Sequence, residues 1–366
     1  MASKNIIWNS LVIVILFFFV IINILPAIKS NEFEFTPIIK TTENIFYVDD
    51  NFNESTSGWN DTHFNKIQSA LNVASDNDII YVFEGNYQEN IEIKNKVELY
   101  GGFEGGNSII DGGNYTNVIL INSDQVRIDG FSIKNSGTEK YELVVYDAGI
   151  RINSDNNIII NNKIMNNMQG ILLYNSNSNV INNNTLRNNK LDQIAIVKKS
   201  NFNNIISNSC DNNIQIGIFV INSNNNNIKD NNINMTSIGI YLVDRSSNNI
   251  LNNNTIKNIF LNPGYDTGDG ILIEWFCWNN KIIWNDMEKC DENGLLIRVY
   301  SYFNEVNFND FKNNNRNAFF ENSYFNYWNQ NYWDDLNGEE IYTISGRFNN
   351  IPLRRFDTSP SNDEND

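Results

Sequence analysis

Apolar and polar positions repeat in two registers along residues 159–311, and both registers share one period. The first is a six-residue phrase, apolar-x-x-Asn-x-apolar. It reads Ile159–Ile164 around Asn162, Ile181–Leu186 around Asn184, Ile205–Cys210 around Asn208 and Ile228–Ile233 around Asn231. Leu251–Ile256 around Asn254, Ile282–Met287 around Asn285 and Val306–Phe311 around Asn309 continue it. An earlier copy, Ile128–Ile133, has Phe131 in the Asn place. The Asn positions lie about 22 to 24 residues apart, with one gap of about 31, a period that belongs to stacked coils.

The second register follows each Asn by some eight or nine residues. It is Gly followed by alternating apolar residues, as in Gly149-Ile150-Arg151-Ile152, Gly217-Ile218-Phe219-Val220 and Gly270-Ile271-Leu272-Ile273. Gln193-Ile194-Ala195-Ile196 keeps the alternation without the Gly. Alternation at period two marks a strand with one buried face. A strand this short cannot stand alone, so each copy must pair with the next coil, ~4.8 Å away. Coils of one sense pair in parallel. The predicted fold is therefore all-β, a single-stranded parallel β-helix of about nine or ten coils.

The Asn column fits the inside of a turn. Asn tolerates left-handed backbone and bonds to nearby main chain. Stacked amides also bond to one another along an axis. Asn162, Asn184, Asn208, Asn231, Asn254, Asn285 and Asn309 are expected to form such a ladder. A polar binding strip is the functional alternative, disfavoured because the buried side of a turn leaves no room for a ligand.

The flanks divide the chain further. An apolar run from Leu11 to Leu25 behind Lys4, followed by Pro26, Ala27 and Ser30, reads as a signal peptide over residues 1–30 or as a retained N-terminal anchor. Membrane contact is expected only through that segment if it is uncleaved. Residues 31–44 read as a linker. Residues 45–96 hold a short strand, Ile45–Val48, and an amphipathic helix over His63–Ala74, with Ile67, Ala70, Leu71 and Ala74 on one face. Such a helix would close the open apolar end of a solenoid. The coils are expected over 97–320. An aromatic C-terminal cap follows over 321–356, then an acidic frayed tail over 357–366. The cap's Tyr324, Phe325, Tyr327, Trp328, Tyr332 and Trp333 suit either a plug for the last coil or stacking on sugar rings.

Composition narrows the partners. Asn makes up about a fifth of the chain, far above ordinary usage. Aromatics at 13% argue against disorder despite that polar bias. A formal net charge of −17 argues against nucleic acid and anionic membranes. Cys210, Cys277 and Cys290 form no spaced framework, and Cys210 falls in an apolar column. His63 is the one histidine, so no His-based triad or His-rich metal site can be built.

Several motifs resemble a family. Tyr47-Val48-Asp49-Asp50, the helix, Asp78–Val82, Gly85-Asn86-Tyr87-Gln88-Glu89-Asn90 and Ile109-Ile110-Asp111-Gly112 stand in the order seen in NosD-like exported β-helix proteins of the pectin-lyase-like group. Asn331-Tyr332-Trp333-Asp334-Asp335 and Tyr342-Thr343-Ile344 resemble the ending of the same group. The resemblance implies a right-handed coil and a secreted or cell-surface location. Copper handling, associated with NosD itself, is not carried over, because this chain has few soft ligands.

Two insertions interrupt the rhythm at the same turn. One lies between Ile133 and Gly149, the other between Ile256 and Gly270. Insertions at one turn project from one edge, often the binding edge. Tyr141, Tyr146, Phe260 and Tyr265 in these loops, with Arg151, Phe219 and Tyr241 on the strands between them, are candidate carbohydrate ligands. The outward stripe they flank, which includes Leu172, Ala195, Leu272 and Leu296, is either exposed for a glycan or buried beneath the loops.

Polysaccharide lyases on this fold typically use carboxylates for Ca²⁺ with a Lys or Arg base. Asp266, Asp269 and Glu274, with Arg298 about one coil later, are the catalytic candidates on that pattern. No cofactor is otherwise expected. The overall expectation is an exported, non-catalytic protein binding carbohydrate or another extended partner. A carbohydrate-active lyase or hydrolase, or a structural envelope component, stands as the alternative.

Overall fold

The computed structural model describes residues 43–262, 264 and 267–363. The predicted leader, most of the predicted linker, and Tyr265 and Asp266 lie outside the described residues.

From Ile45 onward the chain winds as a parallel β-helix. Each coil gives one short strand to each of three sheets, which hold 13, 11 and 12 strands. Register is constant. Ile159 in the first sheet lies opposite Ile128 before it and Ile181 after it. Ile164 lies opposite Leu186 in the second sheet, and Ile171 opposite Ile194 in the third. These apolar columns face inward and are buried at 0% exposure, forming one core along the axis. Cys210 sits in that core, and all three cysteines are buried and free.

The solenoid has about 12 coils, more than the nine or ten expected. The extra coils lie at the two ends of the predicted range. Ile45–Val48 and Asp78–Val82 are already neighbours in the first sheet, so the coils begin well before residue 97. Tyr327–Asn329 and Tyr332–Trp333, placed in the cap from sequence, are strands of one more coil.

Asparagine amides hold the turn between the first and second sheets. The backbone N–H and Nδ2 of Asn184 both donate to Oδ1 of Asn208, each at 3.0 Å. Asn208 does the same to Asn231, at 2.9 and 3.1 Å. The other Nδ2 proton reaches a main-chain carbonyl, Ile159 O for Asn184 and Ile181 O for Asn208. The file runs on through Asn254, Asn285 and Asn309 to Asn331, and each of these side chains is at most 1% exposed.

A second file was not expected from the sequence. It occupies the turn from the third sheet back to the first, five residues before each member of the first file. Asn157 donates to Asn179, Asn179 to Asn203, Asn203 to Asn226, and the pattern continues through Asn249, Asn280 and Asn304 to Asn326. Buried serines, among them Ser176, Ser200, Ser223 and Ser246, line the same turn and bond to its main chain. The turn between the second and third sheets has only a short file. Asn167 donates to Asn189, whose own Nδ2 turns to Gln193.

Both ends are closed by specific bonds. The single helix among the described residues, α1, spans Ile67–Val73 and buries Ile67, Ala70 and Leu71. It starts later than predicted because His63–Phe64 pairs as a strand with Tyr47 and Val48. Glu89 reaches its N-terminus and accepts from the N–H groups of Ile67 and Gln68, at 2.8 and 3.0 Å. A carboxylate there satisfies orphan donors and complements the helix dipole. Tyr87, buried, donates to Val48 O or Phe83 O. The Gly-x-Tyr-x-Glu piece is thus a structural clamp.

At the far end, Trp333 stacks on Phe311 at 4.4 Å and on Tyr342 at 4.0 Å between ring centroids. An antiparallel pair, Tyr342–Phe348 and Ile351–Asp357, completes the cap. Asp357 departs from the frayed tail expected of 357–366. It is fully buried and accepts from the N–H and Nδ2 of Asn331 and from Trp333 Nε1. The last Asn of the file has no successor, and this carboxylate takes the successor's place. Ser361 N–H then donates to Asn331 O, so the chain stays docked past Asp357.

Removing one rung leaves several buried groups without partners, each costing about 1–3 kcal/mol. Asn231→Ala should destabilise the protein by about 3 kcal/mol in denaturant titration, whereas exposed Asn232→Ala should change it by less than about 0.5 kcal/mol. Asp357→Ala should likewise lower the unfolding midpoint.

Candidate functional site

The outer face of the third sheet is the candidate site, because both insertions arise beside it. The first insertion folds as a hairpin, Lys140–Glu142 paired with Val145–Tyr146. Its Val145 packs with Leu172, Ala195, Val197 and Phe219. Leu272, Leu296 and Ile238 form a second outer cluster with Tyr241 against it. The apolar stripe is therefore covered rather than open: Leu172 and Ala195 are 0% exposed and Phe219 is 5% exposed.

The proposed ligand residues fall into separate groups. Tyr141 donates to Asp147 Oδ1 at 2.8 Å, and Arg151 lies over the Tyr141 and Tyr174 rings at 5.2 and 4.9 Å. Tyr174 and Lys198 both bond to Glu142, at 2.8 and 2.6 Å, and together they hold its carboxyl below its ordinary value. Tyr146 lies under Lys140, with its N–H bonded to Gln169. Phe219 is buried against Tyr241. Phe260 is partly exposed, in the second insertion.

Of the catalytic candidates, Asp269, Glu274 and Arg298 lie among the described residues. Glu274 is bonded by Arg298 in the next coil and by the Tyr241 hydroxyl. Burial opposes the charge of Arg298, but Glu274 outweighs it and raises its pKa. Burial, then Glu274, raises that of Tyr241. Asp269 begins the strand that ends just before Glu274, is buried, and accepts from Asn293 Nδ2 at 2.6 Å. It is not bonded to Glu274 or Arg298. Among the described residues no group of three His, Cys, Asp or Glu side chains is placed to hold a metal ion.

What the sheet does offer is a groove of about 290 Å³ beside the second insertion. Ile216, Ile238 and Leu272 give it an apolar floor, and Tyr241, Thr267 and Arg298 give it polar edges. Sequence reasoning named Tyr241 and Arg298 but not Ile216 or Ile238. Each precedes its Gly by one place, at the start of its strand. The signal was present in the column they share with Gln169, Asp192, Asp269 and Asn293.

Two carboxyls in that column are pushed up to about 7. Burial does this for Asp192, partly offset by its bond from Gln169 Nε2 at 2.7 Å. Burial does it for Asp269, partly offset by Asn293. The unfolded chain ionises both near their ordinary value, while the folded chain keeps the protons until about pH 7. Their contribution to stability is full below about pH 4 and is lost as pH rises to about 7. Asp192→Asn should therefore raise the Tm at pH 8 by several degrees relative to the parent and change it little at pH 4.

No curated protein matches the chain. Among solved structures, XylC in complex with xylose is similar at 13% identity and TM-score 0.60, over 77% of this chain and 75% of that one. A DFA-IIIase from Arthrobacter chlorophenolicus in complex with DFA-III is similar at 11% identity and TM-score 0.54, over 88% and 87%. A mannuronan C-5 epimerase A-module from Azotobacter vinelandii is similar at 13% identity and TM-score 0.53, over 73% and 88%. At these identities the likeness is one of fold. Residues 148–277 match the family described as right handed beta helix region, and the fold is a right-handed parallel β-helix.

Proposed function

We propose that this is an exported, non-catalytic β-helix protein of NosD-like type that binds carbohydrate on the outer face of its third sheet. The observation that carries the reading is the state of Glu274. Its carboxylate is spent on Arg298 and Tyr241, so it is not free to act as acid, base or metal ligand. The same triad fixes Tyr241 and Arg298 at the edge of an apolar groove, the mixture that suits a sugar's apolar faces and hydroxyls. The fold neighbours named for xylose, DFA-III and mannuronan make a saccharide the natural class of partner.

An enzymatic reading has one observation in its favour. Asp269 holds a carboxyl raised to about 7 beside the groove's coils, which suits a general acid. Ca²⁺ would enter only under that reading.

Retention in a polysaccharide affinity gel tests the proposal. Arg298→Ala should weaken retention about tenfold. The double change Glu274→Gln with Arg298→Gln should do the same without leaving a buried charge. Release of unsaturated uronide from polygalacturonate or alginate, with or without Ca²⁺, would overturn the non-catalytic reading.

A further inference from the structure

The turn from the third sheet back to the first has a second side. Its inner side carries the Asn and Ser files; its outer side changes character along the axis. Asn222, Asn225, Asp244, Arg245 and Asn248 hold left-handed backbone at this corner in the middle coils. The next coils put Trp275, Phe276, Tyr300 and Phe303 at such positions, with φ of 60°, 63°, 58° and 60°. Left-handed backbone is cheap for Asn and unfavourable for bulky side chains. Strain of this kind, held where Asn would relieve it, points to a use other than folding.

The strained rings do not repay the strain by full burial: Trp275 is 51% exposed, Phe276 37%, Tyr300 39% and Phe303 48%. They are nevertheless held in fixed planes. Trp278 Nε1 donates to Tyr300 O at 2.9 Å, Phe276 stacks on Tyr300 at 5.6 Å, and Phe303 stacks on Phe325 at 6.1 Å. The result is an aromatic ledge over three coils. Where it meets the polar coils there is a depression of about 500 Å³ lined by Phe276, Trp278, Asn225, Asn248 and Arg245. The Asn225 and Asn248 side chains are exposed and have no hydrogen-bond partner among the described residues. Arg245 is partnered by Asp244 at 3.7 Å.

We propose that this ledge is a second carbohydrate site, which takes a neutral polysaccharide chain running along the solenoid axis. Pre-set ring planes stack on the apolar faces of successive sugars at small entropy cost. The adjoining amides supply both donors and acceptors for hydroxyls. A lipid surface would leave those amides unused. The net charge of −17 and the neutralised Arg245 turn away polyanions. The site stands apart from the groove on the third sheet and does not depend on it.

Affinity electrophoresis of the full chain in soluble xylan and in hydroxyethylcellulose, with alginate for comparison, tests this. The neutral polymers should retard the protein and alginate should not. On the Arg298→Ala background, Phe276→Asn and Trp278→Ala should each weaken the remaining retardation about tenfold. Phe276→Asn should leave the Tm unchanged or raised, because Asn suits the backbone; an aromatic there for stability would give a clear fall. The Arg298→Ala groove variant should keep the ledge's share of binding. Retardation lost only in the groove variant would overturn the ledge and leave the groove standing; retardation lost only in the ledge variants would do the reverse. No retardation by either neutral polymer would overturn the ledge. So would self-association in sedimentation, or binding to phosphatidylcholine vesicles, that Phe276→Asn abolishes.

Discussion

A buried primary amide that donates and accepts along one axis is the interaction on which this molecule rests. In each rung, Oδ1 takes two bonds from the preceding coil and Nδ2 gives one to the following coil and one to a carbonyl. Every polar atom is used, so the turn can be buried without an unmet donor or acceptor. Asp would lose the donors and bring a charge, and Gln would need an extra methylene inside a close-packed turn. Two such files, one at each of two corners, fix the vertical register of all three sheets at once. A slip of one residue would break both files and turn the apolar columns outward.

That constraint decides where the chain is free to vary. The turns that carry long files keep nearly constant length. The turn between the second and third sheets loses its file after Asn189, and it is the turn that accepts both large insertions. The first insertion covers part of the third sheet's outer apolar face, and a groove remains beside Tyr241 and Arg298. The same logic shapes the ends. An unfinished file leaves donors exposed in the core, and Asp357 closes it with a carboxylate. Glu89 closes the donors of α1 at the other end. The position of the candidate groove thus follows from which corner is not locked.

Much of this was legible in the residues. Asn162 through Asn309 announce the first file because the Asn sits inside a fixed apolar frame. The second file, from Asn157 to Asn326, was equally regular but stood among so many other asparagines that no apolar frame set it apart. Early coils that begin at Ile45–Val48 and Asp78–Val82 carry no Asn phrase, so the count came out short. Burial of Leu172 and Phe219 depends on a hairpin folding back from a distant part of the sequence, which local pattern does not fix. The aromatic ledge was hidden for a different reason. Trp275, Phe276 and Tyr300 occupy left-handed corner positions that residue type argues against, so only backbone angles reveal that they align.

Native-state hydrogen exchange tests the central claim most directly. The main-chain N–H groups of Asn184, Asn208 and Asn231, each donated to the next amide in file, should exchange only through global unfolding, as slowly as the core strand at Ile194. Exchange at those turn positions as fast as at the exposed hairpin tip, Leu143, would contradict an account in which the amide files hold the coils together.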